Sequence, residues 1–224
     1  MCLSAEVDLV AGIVIGAAGI DALRHADNRK EVAIASLPVV LGAHQLIEAV
    51  AWWGLEGRVP ATAGNVAVWI YLLFAFGVLP IFVPMAIALL EPDLARMRAM
   101  RHLAVMGGAV SLVLVSTMIR GSVEAAIGGR YIAYEIGLSH GGLVVAAYVA
   151  ATCGALLLSS HQVILRFGMF NIVAVGVLTW LNTTGFASLW CAWAAIASLG
   201  IAFGLRTGAL VPERSDRLAH RVTS

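Results

Sequence analysis

The most regular feature of the chain is a series of apolar stretches separated by short polar segments. A transmembrane helix needs about 20 mostly apolar residues, and seven stretches approach or exceed that length. Their predicted bounds are 7–23, 32–55, 65–90, 102–119, 141–158, 168–181 and 187–205. The pattern therefore predicts an all-α protein, an integral membrane bundle of seven transmembrane helices. We expect one membrane domain over residues 1–206 and a polar tail over 207–224.

Composition supports a membrane protein. The chain has 224 residues, of which 61% are hydrophobic and only 12% are charged, whereas soluble domains carry about 25% charged residues. The net charge of +1 and the lack of a basic stripe argue against a nucleic-acid partner. The expected partner is the lipid bilayer, with a homo-oligomer or a larger membrane complex as further alternatives.

The positive charges predict an orientation. Of the 14 Lys and Arg residues, all but Arg58, Arg120 and Arg130 fall on the side that holds the first loop between helices. Basic residues near helix ends favour the cytoplasmic side. We therefore expect the N-terminus outside, the C-terminus in the cytoplasm, and the chain in the cell (inner) membrane. The six tryptophans then all fall in the outer halves of their helices, as an interfacial belt would.

One loop on the outer side is longer than the others and covers residues 120–140. Residues 123–127 and 130–136 flank Gly128-Gly129, a pair that suits a two-residue hairpin turn. The pattern predicts a short β-hairpin, and a tilted interfacial helix is the alternative. Either element would lie over the outer mouth of the bundle as a lid.

The candidate site begins on the second predicted helix, where polar side chains interrupt an apolar run. His44 and Glu48 are four residues apart and so share one helix face, with Gln45 beside them. Ionisable groups at membrane depth are costly and mark functional sites by default. Other unusual polar or aromatic groups fall near the same outer end. The full predicted ligand-binding set is His44, Gln45, Glu48, Cys2, Asn182, Trp190 and Cys191.

Three chemistries remain open for these residues. A metal site would use His44, Glu48, Cys2, Cys191 and His140, and these ligands suit zinc, or copper if sulfur dominates. The simpler alternative is that His44 and Glu48 are hydrogen-bonded to each other or to a polar neighbour such as Asn182, which would set helix register. The third is proton handling or ligand binding at Glu48. Cys2 and Cys191 would also be able to form a disulfide on an oxidising outer side.

Two seven-helix functions fit poorly. A retinal protein needs a Schiff-base lysine, and the seventh predicted helix has none. A metal-dependent membrane hydrolase of the ceramidase type needs several histidines inside the bundle, and only His44 lies well within a predicted span. The leading prediction is a protein that binds a small molecule or metal ion in an outer-facing pocket. A membrane-embedded hydrolase and a non-catalytic subunit of a membrane complex are the alternatives, and the balance is against an enzyme.

Three motifs carry a family resemblance. The chain opens Met1-Cys2-Leu3-Ser4-Ala5, has Gln45-Leu46-Ile47-Glu48 in its second helix, and has Leu189-Trp190-Cys191 in its last. Together they resemble a family of small bacterial multi-pass membrane proteins of unknown function that open Met-Cys-Phe-Ser-Ala. A glutamine is usual in that family where this chain has His44. The resemblance implies the architecture, supplies no mechanism, and shifts weight from His44 to Glu48, Cys2 and Cys191.

Overall fold

The structure, a computed structural model, describes residues 4–26, 28–138, 141–181 and 186–206. These residues form seven helices and one two-stranded sheet. The elements are α1 (Ala5–Arg24), α2 (Arg29–Leu55), α3 (Ala61–Leu90), α4 (Leu94–Arg120), β1 (Glu124–Ile127), β2 (Ile132–Glu135), α5 (Gly141–Leu157), α6 (Gln162–Leu181) and α7 (Phe186–Arg206). We call the end of the bundle that carries β1 and β2 the hairpin end.

The helices extend past two of the predicted apolar stretches. α4 begins at Leu94 rather than at His102, and α6 begins at Gln162 rather than at Gly168. Asp93 caps α4, because its side chain accepts a hydrogen bond of 2.8 Å from the Arg96 N–H. The first turns of α4 are rich in arginine, so a search for apolar runs misses them although they form a helix.

Three helices within the described residues are long and apolar enough to cross a bilayer. They cover Glu31–Leu55, Ala61–Leu90 and Leu94–Arg120. Shorter apolar helices cover Gly141–Leu157, Gln162–Val177 and Ala195–Gly204. Large apolar side chains also point outward along the bundle, with Leu112 and Ile119 each 70% exposed. Apolar surface of this extent is typical of a protein that contacts lipid, and together with these helices it points to membrane association.

α1 and α2 pack closely through glycines. A side-chain carbon on Gly12 would lie 2.7 Å from the Leu46 side chain and 2.9 Å from the Gly42 carbonyl oxygen. Small residues let two helix backbones approach at this distance. The contact sets the register of α1 on α2, and from that register we infer that Asp8, one helical turn before Gly12, faces the part of α2 that follows Leu46.

α3 is a single helix with a π-helical turn at Leu73–Val78. The Leu79 N–H bonds to the Phe74 carbonyl, five residues back. Pro80 follows and has no N–H, so the Ala75 carbonyl loses the donor that this spacing would supply. The Tyr148 hydroxyl of α5 donates to that carbonyl instead, at 2.7 Å.

The segment between α4 and α5 contains an antiparallel strand pair, with Ile127 opposite Ile132 and Glu124 opposite Glu135. The turn differs from the prediction by one residue. The Gly128 N–H donates to the Tyr131 carbonyl at 2.9 Å. The strand pairing therefore extends by one residue pair beyond Ile127 and Ile132, and Gly129 and Arg130 make the turn. Gly129 has φ +90°, a value that favours glycine.

Candidate functional site

One stripe of α2 is buried from Leu41 to Trp52 and carries three polar side chains. His44 and Gln45 are each 1% exposed, and Glu48 is 0% exposed. Their spacing places them on the face that packs into the bundle rather than on the face toward lipid. The shared face inferred from the sequence is therefore a buried one.

Aromatic rings from α3 and β2 cover this stripe. The His44 ring is stacked on Tyr71, with 3.9 Å between ring centroids and 11° between planes. Tyr71 is in turn stacked with Tyr134 of β2, at 5.0 Å and 21°. Phe74, in the π-helical turn, lies 4.9 Å from His44 at a tilt of 47°. The π-helical turn therefore contributes directly to the wall around the histidine, as π-turns at functional sites often do.

The hairpin reaches the same cluster through a polar contact. The Tyr134 hydroxyl donates a hydrogen bond to Glu48 Oε1 at 3.4 Å. Ile132 and Ile136, on the same face of the strand segment, are also buried in the core below the hairpin. The hairpin is thus packed onto the bundle and covers the site from the hairpin end.

Asp8 is a further buried carboxylate at this end. It lies in the first turn of α1 and is 1% exposed. From the register of α1 on α2 we infer that it lies near the polar stripe of α2. A salt bridge holds the start of α1 in place, since Arg58 donates to Glu6 at 2.5 Å and to Glu56 at 3.2 Å. The Arg58 guanidinium lowers the pKa of the Glu6 carboxyl through this hydrogen bond.

Several buried polar atoms in the cluster have no hydrogen-bond partner within the described residues. They are both ring nitrogens of His44 and the amide nitrogen of Gln45. The indole nitrogens of Trp52 and Trp53, nearby on α2, share this property. Buried polar groups are nearly always hydrogen-bonded in native proteins. Atoms of this kind, concentrated at one place, indicate a partner from outside this part of the chain.

The predicted site residues divide into two groups. His44, Gln45 and Glu48 are brought together as described. Cys2, His140 and Asn182 lie outside the described residues. Trp190 and Cys191 belong to α7, but their side chains are also outside what the structure describes. α3 supplies one wall of the site through Tyr71 and Phe74.

The metal hypothesis stays a prediction. Among the residues that the structure describes, no three His, Cys, Asp or Glu side chains form a group that would hold a metal ion. The sulfur ligands and the second histidine of that hypothesis were Cys2, Cys191 and His140, none of which has a described side chain.

Four members of the cluster, Tyr71, Phe74, Tyr134 and Asp8, were not predicted as site residues. Tyr71 and Tyr134 are typical interfacial residues by sequence, and nothing in their spacing connects them to His44. Asp8 carried a stronger signal, because it lies four residues before Gly12 and so falls on the glycine face of α1. A carboxylate on a face that packs this closely is expected to be buried.

Comparison with known proteins gives a family and no activity. No curated protein and no solved structure matches the chain. A family model described as "Family of unknown function (DUF6629)" matches residues 1–215, nearly the full length. This agrees with the expected membership of a family without assigned activity. The chain belongs to this family of unknown function.

Proposed function

We propose that the chain is a seven-span protein of the inner membrane, with its N-terminus and hairpin end outside. The helices that are long and apolar enough to span a bilayer and the exposed apolar side chains support a membrane location. The concentration of Lys and Arg at the end opposite the hairpin supports this orientation.

We further propose that the cluster around His44 binds a small polar molecule from the outer side. The observation that carries this is the pair of His44 ring nitrogens, fully buried and without a hydrogen-bond partner within the described residues. Each unpaired buried group costs about 1–3 kcal/mol. An apolar side chain of similar size would remove that cost, so the cluster is better suited to binding than to stability.

The cluster defines what the ligand must offer. A neutral imidazole presents one donor and one acceptor, and the Gln45 amide adds a donor. Glu48 accepts a hydrogen bond from Tyr134 and contributes a carboxylate to the same wall. The Tyr71 and Phe74 rings around His44 favour a compact molecule with apolar faces. A small molecule that both donates and accepts hydrogen bonds meets these demands.

Access is through the hairpin. Tyr134 connects β2 to Glu48 and Tyr71, so movement of this strand would uncover the cluster. Because α2, α3 and the hairpin each contribute a side chain, the ligand would lie where the three elements meet.

Native mass spectrometry of the full chain, extracted from membranes in mild detergent, tests the proposal. We expect the wild type to retain a noncovalent small-molecule mass that His44→Phe and Glu48→Gln both lack. Ser111→Ala is the control, since it changes a buried polar residue of α4 outside the cluster. The proposal would be contradicted if the wild type showed only the mass of the chain itself, or if His44→Phe retained the bound mass.

A more specific hypothesis is that the ligand is a zinc or copper ion. The membrane-embedded hydrolase requires this ion. Elemental analysis of the purified chain decides between an ion and an organic molecule. Stoichiometric zinc or copper that is lost on Cys191→Ser would support the ion. Metal-free protein that still carries the small-molecule mass would eliminate the ion and the hydrolase together.

A further inference from the structure

A pocket lies at the hairpin end, apart from the His44 cluster. It has a volume of about 510 Å³ and is formed by the last turns of α4 and the segment that leaves β2. Its apolar wall includes Val113, Ile136 and Leu138, and its polar wall includes Ser116, Arg120 and Ser122. We call it the Arg120 pocket.

The charge of this pocket is concentrated in one residue. Arg120 makes no hydrogen bond or ion pair to another part of the described chain. A guanidinium offers a fork of donors that matches the oxygens of a phosphate group. The hydroxyls of Ser116 and Ser122 line the same pocket and add hydrogen-bonding groups. The polar wall is therefore suited to a phosphate oxygen pair.

The depth of the pocket matches the lipid headgroup region. The apolar stretch 102–119 of α4 is roughly 27 Å long at 1.5 Å per residue, close to the thickness of a bilayer's hydrocarbon core of about 30 Å. Arg120 follows this stretch directly. Ile119 beside it is 70% exposed, on lipid-facing surface. The polar wall thus lies at headgroup level, and Val113 lies about two turns deeper.

The end of α4 restricts the charge of the ligand. The last carbonyls of a helix carry partial negative charge, which disfavours a doubly charged inorganic phosphate. A phosphodiester carries one negative charge, and a headgroup hydroxyl or ammonium is able to donate to those carbonyls. An amphipathic molecule also uses both walls, with its phosphate at Arg120 and its chain against Val113.

We propose that the Arg120 pocket binds a glycerophospholipid of the outer leaflet through its phosphodiester group. The site is distinct from the His44 cluster, although both adjoin the strand segment 132–138. One side of that segment carries Tyr134 toward Glu48, and its continuation at Gly137 and Leu138 lines the lipid pocket. Lipid in the pocket would therefore hold the hairpin in its closed position.

Native mass spectrometry titrations of the detergent-purified full chain test this proposal. The probes are phosphatidylglycerol, diacylglycerol with the same acyl chains, and free glycerol 3-phosphate. We expect Arg120→Gln to weaken phosphatidylglycerol binding about tenfold, the loss of roughly one charge-assisted contact. Arg120→Lys should lose less, because it retains the charge but not the fork. Arg130→Gln is the matched control, an exposed arginine of the hairpin turn outside the pocket.

The outcomes separate the sources of binding. Equal weakening by Arg120→Gln and Arg130→Gln would overturn the site, because it would indicate general surface charge. Diacylglycerol that binds as tightly as phosphatidylglycerol would overturn the phosphate contact. Free glycerol 3-phosphate that binds as tightly as the lipid would overturn the lipid assignment, since the apolar wall would then contribute nothing.

Discussion

The Tyr134 hydroxyl donates to the buried carboxylate of Glu48, although 86 residues separate the two. This contact connects the hairpin to the middle of the candidate site. Tyr134 makes a second contact as well, because its ring stacks on Tyr71. Because different substitutions remove the two contacts, their contributions to holding the hairpin on the bundle can be measured separately.

Tyr134→Phe removes the hydroxyl and keeps the ring. We expect a loss of about 1 kcal/mol in unfolding free energy and faster protease cleavage within residues 124–135. Tyr134→Ala should lose more, because the stack disappears as well. Thermal unfolding and limited proteolysis in detergent measure both effects. Glu135→Gln, an exposed neighbour on the opposite strand face, should leave cleavage unchanged, and equal cleavage of Tyr134→Phe and wild type would show that the hydroxyl does not hold the hairpin.

His44→Phe is expected to stabilise the protein. It keeps a ring to stack on Tyr71 and removes two buried nitrogens that lack hydrogen-bond partners within the described residues. The gain should be about 1–3 kcal/mol in ligand-free protein, measured as a rise in the midpoint of thermal unfolding. The proposed ligand should be lost at the same time, a trade of stability against function. A clear fall in stability would mean that the ring nitrogens are paired in the intact chain.

Gly107→Ala is expected to destabilise the packing of α4 on α3. A side-chain carbon there would collide with the Pro80 carbonyl oxygen, part of the backbone just after the π-helical turn. The cost should be at least about 1–3 kcal/mol, as for other overpacked positions. The adjacent Gly108 is the matched control, since its nearest neighbour would be Ile81 Cδ1 at 4.0 Å. Gly108→Ala should be neutral or slightly stabilising, and similar unfolding midpoints for both variants would argue against this close approach.

Tyr148→Phe tests the role of Pro80 in α3. The change leaves the Ala75 carbonyl without its side-chain donor, at an expected cost of about 1–3 kcal/mol. In a Pro80→Ala background the backbone N–H of residue 80 becomes available to that carbonyl. Tyr148→Phe should then cost less, and a double-mutant cycle on unfolding free energies measures the difference. Identical costs in the two backgrounds would show that Pro80 is not the reason for the contact.

The Glu6–Arg58 salt bridge predicts a dependence on pH. The pKa of Glu6 is lowered from 4.5 by its hydrogen bond to Arg58. A carboxyl with a lowered folded-state pKa stabilises the protein above its unfolded pKa. That contribution is lost as the pH falls below 4.5 and through the lowered value. Arg58→Gln should flatten this part of the unfolding profile, and Arg130→Gln should not.

The local pattern of the sequence predicted much of the helical framework. A hydrophobic run can be recognised from neighbouring residues alone, and each predicted run coincides with one helix. The shared face of His44 and Glu48 followed from helical periodicity for the same reason. The helical turns before His102 were missed because their arginines hide a helix from a hydropathy search. The turn of the hairpin was placed one residue early, since either Gly128 or Gly129 suits a turn and the burial of Ile132 and Ile136 decides between them.

The site itself depends on contacts between distant segments. Sequence alone determined that His44, Gln45 and Glu48 lie together on one helical stripe within an apolar span. Only the tertiary structure decided that Tyr71, Phe74 and Tyr134 enclose that stripe and that Asp8 lies beside it. The reason is physical: periodicity fixes directions within one helix, whereas helix register is set by close packing such as Gly12 against Gly42. Ring contacts across three elements arise only after that packing is complete.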